Sequence, residues 1–165
     1  MGPENGSHSS SFTCIPKSLC SWDFRISGTS NGSACVAFYR RTEEGSIANG
    51  GIELPIRKHG MINGYWILER DGKTFAEARQ PNALLRKFEI SSGAVRLALK
   101  AQSAHSRCYD IHADGQIVGT IRPVHPMTRR AVIACSSSVP ELLQLFSFWL
   151  AALTWRRSAD DNGAP

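Results

Sequence analysis

Pro140-Glu-Leu-Leu-Gln-Leu-Phe-Ser-Phe-Trp-Leu-Ala-Ala-Leu-Thr-Trp-Arg-Arg157 decides the fold of this chain. Between Leu142 and Trp155 only Gln144, Ser147 and Thr154 are polar, so Leu142, Leu143, Leu145, Phe146, Phe148, Trp149, Leu150 and Leu153 surround a helical axis. A helix that is apolar on every side belongs in a protein interior or in lipid. At 1.5 Å per residue the run is about 21 Å long, against the roughly 30 Å of hydrocarbon that a spanning helix must cross. Strands of six or seven residues rise about 20 to 23 Å, which matches the helix. The expectation is therefore a central helix over 140–156, with Leu142, Leu145, Phe146, Trp149 and Leu153 as its core residues, inside a wall of strands. The alternative is a tilted or re-entrant membrane segment anchored by Trp149, Trp155, Arg156 and Arg157. Pro140 suits a first helical turn, Glu141 complements the positive helix end, and Ser136 to Ser138 are expected to cap it.

Working back from the helix, the chain repeats one unit three times: an apolar strand, a glycine turn and a second strand. The turn glycines Gly72, Gly93 and Gly115 lie 21 and 22 residues apart, and Trp66, Phe88 and Tyr109 lie 22 and 21 apart. Tyr109, Ile111 and Ala113 alternate with Asp110, His112 and Asp114, and Ile117, Gly119 and Ile121 follow across Asp114-Gly115. Alternation across such a turn is a hairpin signature. Phe88 and Ile90 lead through Ser92-Gly93 to Val95, Leu97 and Leu99 in the same way. In the first unit Trp66 and Leu68 lead to Thr74, Ala76 and Ala78, with Phe75 out of phase.

Upstream, Trp22, Phe24 and Ile26 pair with Ala34, Val36 and Phe38, and Asn49-Gly50 marks a two-residue turn before Ile52 and Leu54. Pro55 places that strand at a sheet edge or at its own end. Thr128 to Cys135 adds a last strand. The sum is a mainly β chain of about ten to twelve short antiparallel strands, a closed barrel around the C-terminal helix.

The chain has 165 residues, of which 42% are hydrophobic, enough for one domain with a real core. The expected organisation is a flexible segment over 1–20, the barrel with its helix over 21–157 and a disordered tail over 158–165. No basic segment followed by an apolar run opens the chain, so a cytoplasmic, bacterial-type protein is the expectation; a monomer is expected as well. Five cysteines, Cys14, Cys20, Cys35, Cys108 and Cys135, form no C-x-x-C pair and read as reduced thiols.

Nineteen Lys and Arg against 14 Asp and Glu give a net +5, spread along the sequence in pairs such as Arg40/Arg41, Arg57/Lys58, Arg86/Lys87, Arg129/Arg130 and Arg156/Arg157. Arg86, Lys87, Arg129 and Arg130 are the candidates for binding an anion or a lipid headgroup; solvated turn residues are the plainer reading. Asp110-x-His112-x-Asp114-Gly115 has the opening of a calcium loop, but Ile121 stands where the bidentate Glu belongs. No G-x-S-x-G, no glycine-rich phosphate loop and no activated nucleophile is evident, so neither a catalytic residue, a metal site nor a cofactor is expected. Nucleic acid is an unfavoured partner because Trp66, Phe88 and Tyr109 fall on the inward face, away from any base.

The hairpin Arg107-Cys-Tyr-Asp-Ile-His-Ala-Asp-Gly-Gln-Ile-Val-Gly-Thr-Ile-Arg122, followed by the apolar helix, resembles the tubby-like superfamily, which includes the tubby C-terminal domain, the LURP-one-related proteins and the phospholipid scramblases. The resemblance covers roughly Trp22 to Arg157. It implies a barrel of about twelve strands closed around a hydrophobic C-terminal helix, and a non-catalytic binding or adaptor module for anionic phospholipid or a protein partner, peripheral to the membrane. The alternatives are a scramblase-like or enzymatic protein, or a nucleic-acid binder. The scramblases' cysteine-rich stretch has no counterpart here.

Overall fold

The computed structural model describes residues 8–60 and 64–163. Its strands follow the chain as β1 (Ser9–Pro16), β2 (Phe24–Thr29), β3 (Gly32–Phe38), β4 (Gly45–Asn49), β5 (Ile52–Lys58), β6 (Gly64–Arg70), β7 (Lys73–Gln80), β8 (Lys87–Ser92), β9 (Val95–Ala101), β10 (Tyr109–Ala113), β11 (Gln116–Pro123) and β12 (Ala131–Ser136), before the helix α1 (Glu141–Asn162). Every strand pairs antiparallel with its neighbours in sequence, and β1 pairs with β12, so the twelve strands close into a barrel. Closure removes both sheet edges.

The period-two pattern explains the wall. Phe24 and Ile26, Trp66 and Leu68, Phe88 and Ile90, Leu97 and Leu99, and Tyr109 and Ile111 are all buried, and the residues between them are partly or fully exposed. Both central residues of three tight turns are left-handed: Gly50 and Gly51 (φ 61° and 80°), Asp71 and Gly72 (52° and 70°), and Asp114 and Gly115 (49° and 77°). That is the type I′ geometry whose twist matches the flanking strands. Asn49 itself closes β4 opposite Ile52, so the turn falls on Gly50-Gly51, one place later than the Asn-Gly reading put it. Phe75 is out of phase because it is a bulge: Leu68 faces Ala76 and Glu69 faces Thr74, leaving Phe75 as the extra residue.

The helix threads this barrel. All fourteen residues from Leu142 to Trp155 are buried, and its aromatics meet the wall directly. Phe148 packs edge-on against Phe24 at 5.0 Å, and Trp149 stacks on Phe38 at 4.9 Å. The polar interruptions are matched too: Gln144 Oε1 accepts from Ser10 Oγ at 2.9 Å, and the Tyr109 hydroxyl meets Thr154 Oγ1. Among the described residues no helix is long and apolar enough to cross a membrane.

Several expectations need correction. The segment over 1–20 contains β1, which fills the gap between β12 and β2 and buries Phe12 and Cys14. Its serine-rich composition hid it, since a strand with a neighbour on each side draws its order from ladder hydrogen bonds rather than from its own side chains. The tail over 158–165 is helical as far as Asn162, one ladder continuous with the buried run, and α1 therefore outlasts the expected 140–156. Pro55 lies inside β5 opposite Ser46, at no sheet edge. It is tolerated because the ladder to β6 begins at Ile56, so no bond on that side needs its missing N–H.

No serine caps the helix. Pro140 takes the N-cap position, its carbonyl accepting from Leu143 and Gln144 N–H, and the Ser136 and Ser138 hydroxyls bond one another at 2.8 Å. Glu141 holds the start instead, its carboxylate accepting from Ser30 N (2.8 Å), Ser30 Oγ (3.0 Å) and Asn49 Nδ2 (2.9 Å). One side chain thus ties two hairpin turns to the positive end of the helix.

A basic end of the barrel bearing the long loops

In an antiparallel barrel with neighbour-to-neighbour connections, every second connection falls on the same end. The tight turns after β2, β4, β6, β8 and β10 surround the start of α1, and the longer connections after β1, β3, β7, β9 and β11, with the end of β5, surround its exit. Loops set on a rigid scaffold are where binding concentrates.

This arithmetic gathers the basic pairs that look scattered in sequence. Arg40/Arg41, Arg57/Lys58, Arg86/Lys87, Arg129/Arg130 and Arg156/Arg157 all lie in, or next to, the long connections or the helix exit. The same end carries Leu19, Leu84 and Met127, exposed to 95%, 90% and 87%, together with Leu85 and Val124. Exposed apolar loop tips thus share one end with the positive charge.

The four candidate residues separate. Arg86 and Arg129 come together on one cleft, but as structural clamps rather than as solvated turn residues. Arg86 donates to Ser106 O (2.9 Å), Ala104 O (3.3 Å) and Thr154 Oγ1 (3.2 Å), with its guanidinium over the Tyr109 ring. Arg129 donates to Ser21 O (2.6 Å), Ser18 O (3.0 Å) and Leu19 O, and covers the Trp22 ring at 4.8 Å. Lys87 pairs with Glu89 at 3.3 Å on the outer wall. Arg130 is exposed, and its carbonyl accepts from Val124 N.

The cleft has a volume of about 1070 Å³ and lies beside the helix exit. Arg86, Arg107 and Arg129 line it with His105, Trp22 and Trp155, and among the described residues no Asp or Glu does. Leu19 and Met127 add apolar wall. Arg107 is the residue the sequence reading missed, since it stands alone rather than in a pair. It donates to Pro126 O (3.1 Å) and Thr128 O (3.2 Å) through one amino group and lies over the Trp155 ring at 5.0 Å. Burial, and then the neighbouring charge of Arg129, push Arg107 below the ordinary guanidinium range. Carbonyl partners orient these cations without neutralising them.

A second charged group braces the helix exit. Glu43 receives both Arg157 Nε (2.5 Å) and Lys58 Nζ, and its carbonyl accepts the Trp66 indole N–H at 2.9 Å. Burial alone would raise this carboxyl; the hydrogen bonds and charges of Arg157 and Lys58 outweigh it and hold Glu43 at about 2. In the calcium-like stretch Asp110 accepts from Gln102 Nε2 at 2.9 Å, and among the described residues no three His, Cys, Asp or Glu side chains converge as metal ligands would.

No family model, curated protein or solved structure matches this chain.

Proposed function

We propose that this chain is a non-catalytic binding module, of the tubby-like kind, whose loop-bearing end docks on an anionic membrane surface. The observation that carries the reading is the shared location of the basic pairs with the exposed Leu19, Leu84, Leu85, Val124 and Met127. Apolar tips gain by entering the headgroup boundary, and each basic residue near an anionic leaflet adds about 1 kcal/mol of attraction. A barrel of twelve strands filled by its own helix supports the tubby-like reading, and a packed apolar interior supports a rigid binding surface over a reaction chamber. The module acts as a monomer, peripheral to the membrane.

Vesicle flotation tests this. Binding is expected to vesicles containing phosphatidylserine or phosphoinositide, to fall with salt, and to be absent with phosphatidylcholine alone. Arg40→Glu with Arg130→Glu, and separately Leu84→Asp with Met127→Asp, should each weaken it, because both charge and insertion are required. Lack of binding to every anionic vesicle would remove the proposal, and retrieval of a protein in place of lipid would turn it toward an adaptor.

A further inference from the structure

The cleft beside the helix exit is an electrostatically incomplete site. Arg107 uses one amino group on the carbonyls of Pro126 and Thr128, and among the described residues its Nε and second amino group have no acceptor. None of the three lining guanidiniums has a carboxylate partner among the described residues, since the ion pairs there engage only Lys58, Lys87 and Arg157. Arg129 is fixed close by through three carbonyls of the β1–β2 connection. Two cations held together by neutral acceptors repel each other, and one oxyanion between them removes that repulsion.

A second observation comes from the cleft wall. Trp155 is 3% exposed, yet its indole N–H has no acceptor among the described residues. A buried donor left unpaired is costly, and this one belongs to the ring that lies beneath Arg107. Trp22, Leu19 and Met127 add apolar surface to a wall that also carries His105, Thr128, Ser158 and Asn162.

We infer that this cleft is a binding site for a single phosphate or carboxylate group attached to an apolar or aromatic body. The oxyanion sits on the open donors of Arg107, above the Trp155 ring and beside Arg129, and the body lies against Trp22, Leu19 and Met127. The site deepens the membrane reading without depending on it: the ligand is either a free organic anion or the headgroup of one lipid drawn into the end of the barrel.

Nuclear magnetic resonance titration of the four indole N–H signals, with no bilayer present, tests the assignment. The probes are inorganic phosphate, 1-naphthyl phosphate and dihexanoyl phosphatidic acid below its micelle concentration. Saturable movement of the Trp155 signal is expected, with the Trp66 and Trp149 signals still, since these two donate to Glu43 O and Ala37 O. Naphthyl phosphate should bind about tenfold tighter than inorganic phosphate through the apolar wall. Arg107→Gln should weaken binding about tenfold or more, and Lys87→Gln, outside the cleft, should leave it unchanged. Because Arg107 also tethers the β11–β12 connection, Arg107→Lys is the second variant: it retains the charge, loses the fork and should also bind more weakly. Preference for naphthyl phosphate over the lipid points to a free anion, and the reverse to a headgroup; either order supports the site. No saturable shift with any probe, or equal effects of Arg107→Gln and Lys87→Gln, overturns it. Soluble-anion binding without flotation would leave this site standing and remove the membrane reading, and flotation without soluble-anion binding would do the opposite.

Discussion

Trp149, at the middle of the central helix, donates its indole N–H to the carbonyl of Ala37 in the wall at 3.1 Å. Interdigitated packing holds the helix in the barrel, and directional bonds between helix and wall add to its rotational and axial register. The Trp149 bond is one of these. It also requires space: a Cβ on Gly45 would lie 2.0 Å from the Ala37 oxygen and 2.7 Å from Trp149 Nε1.

Gly45→Ala is accordingly expected to destabilise the protein by about 3 kcal/mol, since the clash is with main chain that cannot move aside. Trp149→Phe should cost about 1–3 kcal/mol through the lost bond and the vacated volume. Urea unfolding followed by circular dichroism measures both, and a Gly45→Ala midpoint equal to the wild type would contradict the packing.

Phe12 tests the closing strand. Phe12→Ala should cost about 3–5 kcal/mol, as for other buried aromatics, and deletion of residues 1–16 should leave β12 and β2 as open edges that associate. Light scattering and hydrogen exchange over β12 and β2 would report this; a monomeric, cooperatively folded deletion would show that β1 is dispensable.

The cysteines should divide by reactivity. Burial pushes the Cys135 thiol up to about 11 and raises Cys14 further, so neither yields thiolate at neutral pH, and Cys20 is exposed beside the arginine cleft. Native protein is expected to give fast modification of Cys20 by a disulfide reagent and none of Cys14 or Cys135 until denaturant is added. Mass spectrometry of timed samples reads the order.

Glu43 makes the protein acid-sensitive. Its carboxyl is held at about 2 against an ordinary 4.5, so the folded state prefers it ionised. That contribution is complete above the ordinary value, shrinks as pH falls below it and is gone once pH passes below about 2. Glu43→Gln should cost about 1–2 kcal/mol at pH 7 after allowance for solvent screening, and should flatten the stability profile between roughly pH 4.5 and pH 2. Unfolding midpoints over that range decide it, and parallel profiles for the two proteins would rule out Glu43 as the source.

The barrel was legible in sequence because its signals are local. Trp66, Phe88 and Tyr109 repeat at the spacing of successive hairpins, and side-chain direction along a strand depends only on adjacent residues. The site was legible only in part. Arg86 and Arg129 stood out as members of basic pairs, but nothing near them in sequence indicates that one clamps the β9–β10 connection and the other holds Ser21, 108 residues away. Arg107, a single basic residue before a strand, carried no signal of its own.

From its sequence alone this chain determined that many short strands alternate in and out, and that its last segment, apolar on every side and shorter than a bilayer, needs a buried place. Only the tertiary structure decided that β1 closes the wall, that the basic pairs meet at the helix exit, and that three arginines face one cleft with no carboxylate from the described residues among them. The division has one physical cause. Periodicity and turn preference are set by neighbours in the chain, whereas electrostatic environment is set by neighbours in space, and barrel closure brings together residues from opposite ends of the sequence.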